Sequence, residues 1–301
     1  MSEATFRNGD AERTSNAGRF ASKTVIYLLL IAWAIVCLFP IYWTITTSFK
    51  TAANVMKGSL IPWWDYTPAW LGWRSLGLSP ETIGAESTVR DEFMKRFFNS
   101  AITAISSSSI AVVLGSLAAY GLSRFRFGAQ QHFMFFVLAQ RMMPPIAVAI
   151  PLFFIFRDIG LRDTHLGLIL AHTLINLPLA VLLMKSFFDD VPVELDEAAT
   201  IDGAGRVQTF ARVVLPLVKG GLAATAVLCF IFSWTEFLIS LQLTTSIRTI
   251  PVKISTFVTS TGTEWGFITA LGSAALIPSF IFIMLVQRHL VRGLTLGSLK
   301  D

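Results

Sequence analysis

The sequence predicts an all-α polytopic membrane protein with six transmembrane helices, because it is very apolar and its apolar residues fall in long uncharged runs. Of its 301 residues, 53% are hydrophobic and only 14% are charged, whereas a soluble domain usually carries about 25% charged residues. The net charge is +5. Because the basic residues lie mainly between the apolar runs, they indicate membrane orientation rather than binding to nucleic acid.

Six segments are long enough to cross a membrane, since a crossing helix needs about 20 apolar residues. They leave tails at 1–23 and 289–301 and three long connections, 49–96, 189–219 and 244–266. The first connection is rich in Trp, Pro and Gly, and aromatic residues favour the membrane–water interface, so we expect 49–96 to lie on the outer (periplasmic) membrane face. The predicted spans are 24–48, 97–121, 131–156, 166–188, 220–243 and 267–288.

The first apolar segment is expected to remain as a membrane helix. Its uncharged run, 24–43, is too long for the hydrophobic region of a signal peptide, and no Ala-x-Ala-like cleavage site follows it. Lys and Arg are more numerous in the segments that lie inside when the N-terminus is cytoplasmic. The sequence therefore predicts that both termini are cytoplasmic.

The connection 189–219 contains a predicted short helix with clear start and stop signals. Pro192 suits its first turn, acidic residues near the start complement the helix dipole, and Gly203 suits a left-handed end. A second apolar stretch, 207–215, ends at Pro216. Taken alone, this pattern fits an ordinary surface loop as well as a surface that another protein approaches closely. The residues that share one narrow face by helical spacing are Leu195, Ala198, Ala199 and Asp202.

The full string of this loop resembles the EAA signature of permease subunits in bacterial binding-protein-dependent ABC importers. It reads Glu197-Ala198-Ala199, then Asp202-Gly203-Ala204, then Leu215-Pro216, in the order, spacing and position of that signature. Thr235 stands where the family usually has Asn, and the chain ends Gly-Ser-Leu-Lys-Asp instead of Gly-Ala-Val-Lys-Gly, so contact between the tail and the ATPase stays open. The stretches that are similar to the carbohydrate-uptake branch, close to its maltose-type second permease, are 39–50, 143–152, 234–237 and 287–293.

This resemblance implies a type I ABC importer permease whose loop is a cytoplasmic coupling helix, seated in a cleft of a separate ATPase. It implies a bacterial inner membrane with its lipid, a second permease subunit, an ATPase subunit dimer and an extracytoplasmic solute-binding protein as partners. No cofactor is expected on this chain, and ATP and Mg belong to the ATPase, since the sequence has no G-x-x-x-x-G-K-[ST] string. The residues implied in ATPase coupling are Glu194, Glu197, Ala198, Ala199, Asp202, Gly203, Ala204, Leu215 and Pro216.

Four polar or aromatic residues in the predicted spans are candidates for the substrate pathway, because polar groups inside a membrane are costly. Arg141 stands beside a Pro-Pro pair and is expected either to bond a solute or to pair with Glu236. Trp234 and Glu236 together offer an aromatic face for sugar C–H groups and a carboxylate for hydroxyls. Asn176, one turn after His172, either lines a cavity or bonds a neighbouring helix.

The function implied by the resemblance is uptake of a sugar, a polyol or a related solute such as a glycerol phosphate, and the alternative is an ATP-independent secondary transporter. That alternative calls for internal hydropathy symmetry and ion-coupling carboxylates near the midplane, and Glu236 alone fits. No enzyme motif or metal-ligand spacing is found, since Cys37 and Cys229 lie singly in apolar runs. The small residues of 106–119 predict a helix-packing seam or, alternatively, part of the pathway lining. By resemblance, the outside loop 244–266 reaches toward the solute-binding protein, and the alternative is a mobile polar loop.

Overall fold

Most of the described residues in the computed structural model belong to helices, which confirms the predicted fold class. The structure describes residues 3–83, 88–259 and 262–296, with side chains for 22–83, 88–258 and 263–287. The predictions for the tail end 297–301 and for the loop positions 84–87 and 260–261 lie outside the described residues, as do the side chains from 288 onward. One short antiparallel pair, β1 (Val258–Thr259) and β2 (Gly262–Thr263), joins Val258 to Thr263 in register.

The helices, in chain order, are α1 (Glu3–Thr47), α2 (Ala52–Met56), α3 (Leu71–Arg74), α4 (Thr88–Arg124), α5 (Gln130–Met142), α6 (Pro145–Asp158), α7 (His165–Asp189), α8 (Glu194–Ile201), α9 (Arg206–Thr209), a π-helical turn (Phe210–Val214), α10 (Leu215–Leu217), α11 (Lys219–Trp234), α12 (Leu238–Leu243), α13 (Ile250–Ser255) and α14 (Trp265–Leu296).

Within the described residues, four helices are long and apolar enough to cross a membrane unbroken. They are the Ser22–Thr47 part of α1, the whole of α4 and of α7, and the Trp265–Gln287 part of α14. Two helix pairs pass the same test only when joined across a bend: α5 with α6 at 96°, and Arg206–Leu217 with α11 at 81°. Counting each bent pair as one span gives six, the predicted number.

Helix limits differ from the predicted spans mainly where backbone hydrogen bonding is interrupted. The predicted third span, 131–156, is two helices, because Pro144 has no N–H and keeps Met143 extended, and Pro145 then begins α6. Pro151 lies inside α6 without ending it. The predicted fifth span, 220–243, is likewise divided between α11 and α12. Elsewhere most helices run past the predicted limits, and α1 is already helical at residue 3 of the chain.

The chain forms two compact units, of which the first comprises 1–73 and 265–273. No residue in the most apolar stretch of α1 is buried in this chain, which suits a surface covered by lipid or by another subunit. Just beyond α1, the Lys50 amine is buried, with its nitrogen 4.0 Å from the centre of the Trp43 ring and 5.3 Å from that of Tyr66. Burial lowers the pKa of Lys50, and the Asp65 carboxylate opposes that shift.

The second unit comprises 74–264 and 274–301 and is built on α4, which packs along α7, with α11 against both. Close approach is possible because the contact face of α4 carries small residues. A Cβ atom on Gly115 would lie only 2.6 Å from Ala180 Cβ on α7. The predicted packing seam in 106–119 is confirmed, since its buried members are Ser107, Ser108, Ala111, Val112, Gly115, Ser116 and Ala119.

Candidate functional site

The predicted helix of the 189–219 loop is α8, and its end has the predicted geometry. Gly203 has a φ of +84°, so the left-handed termination is confirmed. The Gly203 N–H donates to Thr200 O at 3.0 Å, and the Ala204 N–H donates to Ala199 O at 2.9 Å. These two bonds form a Schellman motif, which satisfies carbonyls that the helix would otherwise leave unpaired. The turn therefore fixes the direction in which the chain leaves α8.

One side of α8 is held against the rest of the protein by Asp196 and Ala199. The Asp196 carboxylate accepts hydrogen bonds from the Tyr120 hydroxyl at 2.6 Å and from Arg124 Nε at 2.9 Å, and Ala199 is 8% exposed. The predicted single face of 195, 198, 199 and 202 is therefore divided, with Ala199 inward and the other three exposed. The sequence did not lead us to expect that Asp196 makes these contacts. The signals available were its place in the acidic first turn and its spacing of four residues from Thr200.

The opposite side of α8 is open and carries most of the residues implied in coupling. Ile201, at the end of α8, is 86% exposed, and Val207, on α9, is 81% exposed. These two apolar side chains flank the Gly203 turn and were missed, because the helical pattern drew attention to the small residues. The exposed coupling candidates are Glu194, Leu195, Glu197, Ala198, Asp202, Gly203 and Pro216, whereas Ala204 and Leu215 are half-buried.

A cleft of about 310 Å³ runs beside α8, between it and the end of α4. Glu197 and Ile201 line one wall, and Tyr120 and Phe125 line the other. The Arg206 guanidinium lies 5.0 Å from the centre of the Phe125 ring. The open face of α8 thus combines acidic, basic and apolar groups beside a cleft.

Arg141 lies in the last turn of α5, just before the 96° bend. Its guanidinium stands 4.7 Å from the centre of the Phe232 ring on α11, a cation–π contact. The predicted alternative pairing of Arg141 with Glu236 is not what the structure has, because Glu236 bonds other groups. Arg141 lines a cavity of about 140 Å³ together with Gln140, Met143, Pro145, Val148, Leu174, Ile175 and Ile239.

Glu236 lies in the break between α11 and α12 and caps α12. Its carboxylate accepts the Ile239 N–H at 2.7 Å, the Ser240 N–H at 2.9 Å and the Ser240 hydroxyl at 2.8 Å. His172 Nε2 lies 3.4 Å from Glu236 Oε2, and His172 Nδ1 lies 2.7 Å from Ser233 Oγ. A buried polar network therefore joins α7, α11 and α12, and it accounts for the broken fifth span.

Trp234 and Asn176 are packed inside this chain. Trp234 is 4% exposed, stacks on Phe230 and meets the edge of Phe97, and its indole N–H donates to Ala275 O at 3.1 Å. Its ring therefore has no face free for a sugar, contrary to the predicted pairing with Glu236. Asn176 Nδ2 donates to Cys229 O at 3.2 Å, whereas its Oδ1 is a buried acceptor without a partner among the described residues.

Comparison with known proteins gives one family and several relatives of similar length. The sequence profile described as "Binding-protein-dependent transport system inner membrane component" matches residues 111–296. The chain is 34% identical to a probable ABC transporter permease protein of Sinorhizobium fredii, over 95% of this chain and 99% of that one. It is 35% identical to the trehalose transport system permease protein of Mycobacterium tuberculosis, over 94% and 99%.

Solved structures show the same fold. A chain of the crystal structure of a bacterial ABC transporter involved in the import of the acidic polysaccharide alginate superposes with a TM-score of 0.67. That match covers 88% of this chain and 94% of the other, at 22% sequence identity. The likeness is therefore one of architecture across almost the whole chain.

Proposed function

Because the chain belongs to the family of inner-membrane components of binding-protein-dependent transport systems, we propose that it is the permease subunit of an ATP-driven importer for a sugar, a polyol or a related small solute. Like its relatives, it is a transport subunit and not an enzyme. The sugar assignment rests on the trehalose permease among its relatives. This function is preferred over the alternative that the sequence left open, an ATP-independent secondary transporter.

The observation that carries this proposal is the open face of α8. A short helix outside the predicted spans, with acidic residues and the nearly fully exposed Ile201, leaves apolar surface in water unless another protein covers it. A separate ATPase subunit dimer, which binds the ATP and Mg, is the partner that we assign to this face. In this arrangement, Ile201 and Val207 enter an apolar cleft of the ATPase, and Glu197 meets polar groups at its rim.

A second permease subunit completes the translocation pathway in this proposal. The cavity beside Arg141 measures about 140 Å³, whereas small-molecule sites are usually about 300–1,000 Å³. One chain thus supplies only part of a solute path, and the most apolar stretch of α1, in which no residue is buried, offers further surface to lipid or to the second subunit. Arg141 is the residue that we assign to this path, with its guanidinium available to hydroxyl or anionic groups.

We place both termini of the six-span chain in the cytoplasm, because Lys and Arg are more numerous in the segments that then lie inside. With both termini in the cytoplasm, the loop after the fourth span is also cytoplasmic, where an ATPase lies. The loop that follows α12 then lies outside, facing the solute-binding protein. Asp163, between α6 and α7, fastens that loop by accepting hydrogen bonds from the N–H groups of Thr245, Ser246 and Ile247.

The test of this function uses the chain co-expressed with its ATPase, second permease and solute-binding protein, in intact cells and in proteoliposomes. We expect Glu197→Ala to abolish most ATP-dependent uptake while the subunit still inserts, because the docking face loses its acid. Asp190→Asn, which changes an exposed acid at the end of α7 but outside α8, is the matched control and should transport normally. Normal uptake by the Glu197 variant would refute the coupling role.

The solute is identified by binding measurements on the purified solute-binding protein with a panel of sugars and polyols, followed by uptake of the tightest ligand. We then expect Arg141→Ala to reduce uptake of that ligand without reducing the ATPase activity of the complex. Uptake that needs a proton or sodium gradient and no ATP would instead establish the secondary transporter.

A further inference from the structure

We propose that Arg124 is the joint through which the coupling helix α8 moves α4, so that ATPase movement reaches the central helix of the membrane bundle. This inference rests on the proposed function, since it concerns how force received at α8 is passed on. Arg124 was not among the residues that the sequence pattern selected.

Arg124 is the last residue of α4 and joins three elements at once. Its Nε donates to Asp196 Oδ2 on α8 at 2.9 Å, its Nη1 to Phe188 O on α7 at 3.1 Å, and its Nη2 to Val191 O just beyond α7 at 3.0 Å. The side chain is only 5% exposed, and that of Asp196 is 14% exposed. One planar guanidinium therefore fixes the end of α4, the end of α7 and the first turn of α8 relative to one another.

The chemistry of these contacts makes the joint stiff. The Phe188 carbonyl already accepts the Val191 N–H at 3.1 Å, and Arg124 adds a side-chain donor to it and to the Val191 carbonyl. Asp196 is charged and partly buried, and charge-assisted bonds of this kind are shorter and stronger than neutral ones. The Tyr120 hydroxyl, which is also on α4, donates a hydrogen bond of 2.6 Å to the other Asp196 carboxylate oxygen. Both oxygens of one α8 carboxylate are thus held by α4.

The connectivity explains why α4 needs this joint. α7 leads into the loop and α11 follows it, so movement of α8 pulls on both through the backbone. α4 has no such covalent link to α8, and within the described residues the hydrogen bonds between these two helices all end on Asp196. Because α4 packs along both α7 and α11, it must move with them if the bundle is to rearrange as a whole.

The experiment measures uptake and ATP hydrolysis together, in proteoliposomes that hold the complete transporter with the solute-loaded binding protein. The variants are Arg124→Lys, Asp196→Asn and Tyr120→Phe. Lys keeps the charge but cannot reach three acceptors in a fixed plane, and Phe keeps the ring packing while removing one hydrogen bond. For Arg124→Lys and Asp196→Asn we expect roughly a tenfold fall in solute moved per ATP hydrolysed, on the scale of one lost charge-assisted bond, and a smaller fall for Tyr120→Phe.

Two controls separate a joint from ordinary stabilisation. Asp189→Asn breaks the Lys185–Asp189 pair of 2.5 Å within α7 alone and should leave solute moved per ATP unchanged. The double variant Arg124→Lys with Asp196→Asn should move as much solute per ATP as the more impaired of the two single variants, because both substitutions remove the same connection.

Wild-type transport per ATP in assembled Arg124→Lys and Asp196→Asn complexes would overturn the inference and leave the proposed function intact. Failure of all three variants to assemble with the ATPase would also overturn it, since Arg124 would then serve folding. A wild-type complex without ATP-dependent uptake would refute the proposed function itself.

Discussion

The closest helix contact in the bundle predicts that Gly115→Ala weakens the α4–α7 packing. The new Cβ would lie 2.6 Å from Ala180 Cβ and 3.0 Å from the Ala180 carbonyl carbon. Carbon atoms pack at about 3.5–4.0 Å, so the helices must separate by roughly 1 Å. Overpacking of this kind usually costs about 1–3 kcal/mol. Replacing a helical glycine by alanine offsets part of that cost, by about 0.5–1 kcal/mol.

A matched control on the same helix removes the uncertainty in that offset. Gly121 also lies in α4, and a Cβ there would meet nothing within 4 Å. Gly121→Ala should therefore show the helix-propensity gain alone. The difference between the two variants isolates the clash, which we expect to be about 1–3 kcal/mol in the free energy of unfolding.

The assay is unfolding of the purified subunit in mixed micelles as the mole fraction of SDS rises, followed by circular dichroism. Gly115→Ala should unfold at a lower SDS fraction than wild type, and Gly121→Ala at the same or a higher fraction. Equal midpoints for the two variants would show that Gly115 does not set the α4–α7 distance, and the packing argument would fail.

Three further outcomes follow from single residues. Gly203→Ala should reduce ATP-coupled uptake more than Gly203→Asn, because the left-handed backbone costs about 1–2 kcal/mol for most residues and asparagine tolerates it; equal uptake would contradict the role of the turn. Burial raises the pKa of the Asp163 carboxyl, but hydrogen bonds from the 245–247 loop outweigh that effect and hold the pKa below its usual range. Stability from Asp163 is therefore present above its unfolded pKa of about 3.9 and is lost as the pH falls through the folded value, so Asp163→Asn should destabilise the subunit at pH 7 and progressively less below about pH 4. Thermal unfolding across that range measures the effect, and a pH-independent difference would argue against it. Glu236→Gln should cost about 1–3 kcal/mol in the SDS titration, because an amide cannot accept through both ends; an unchanged midpoint would show that the cap is dispensable.

The spans were predictable because crossing a membrane imposes one dominant requirement, a long run of apolar residues. The breaks were only partly so. The Pro144-Pro145 pair indicated an interruption in the third span, and the structure adds the 96° bend. The break at Glu236 was not foreseen, because it depends on a carboxylate that caps α12 and on His172 from another helix. Such partners are distant in sequence, and helical periodicity carries no information about them.

The loop that contains α8 shows the same division on a smaller scale. Its acidic first turn, its end at Gly203 and its family signature are local features, and each was visible in the order of the residues, although Pro192, expected in the first turn, lies just before α8. The orientation of α8 was not, because it depends on Asp196 meeting Tyr120 and Arg124, which lie more than seventy positions earlier. That contact turns Ala199 inward and leaves Ile201 exposed. The sequence-based choice of a single small-residue face was therefore only partly correct.

The amino-acid sequence by itself predicted a multi-pass membrane protein, the number of its spans and the position of the loop that contains α8. These properties depend on local composition and on short-range backbone preferences, which adjacent residues specify. The tertiary structure alone decided which side chains within the bundle are engaged in contacts with other residues. It placed Trp234 in the packing, assigned Glu236 to a helix cap and joined Arg124 to α8. Each of these outcomes depends on distances between residues far apart in the chain, which only packing brings together.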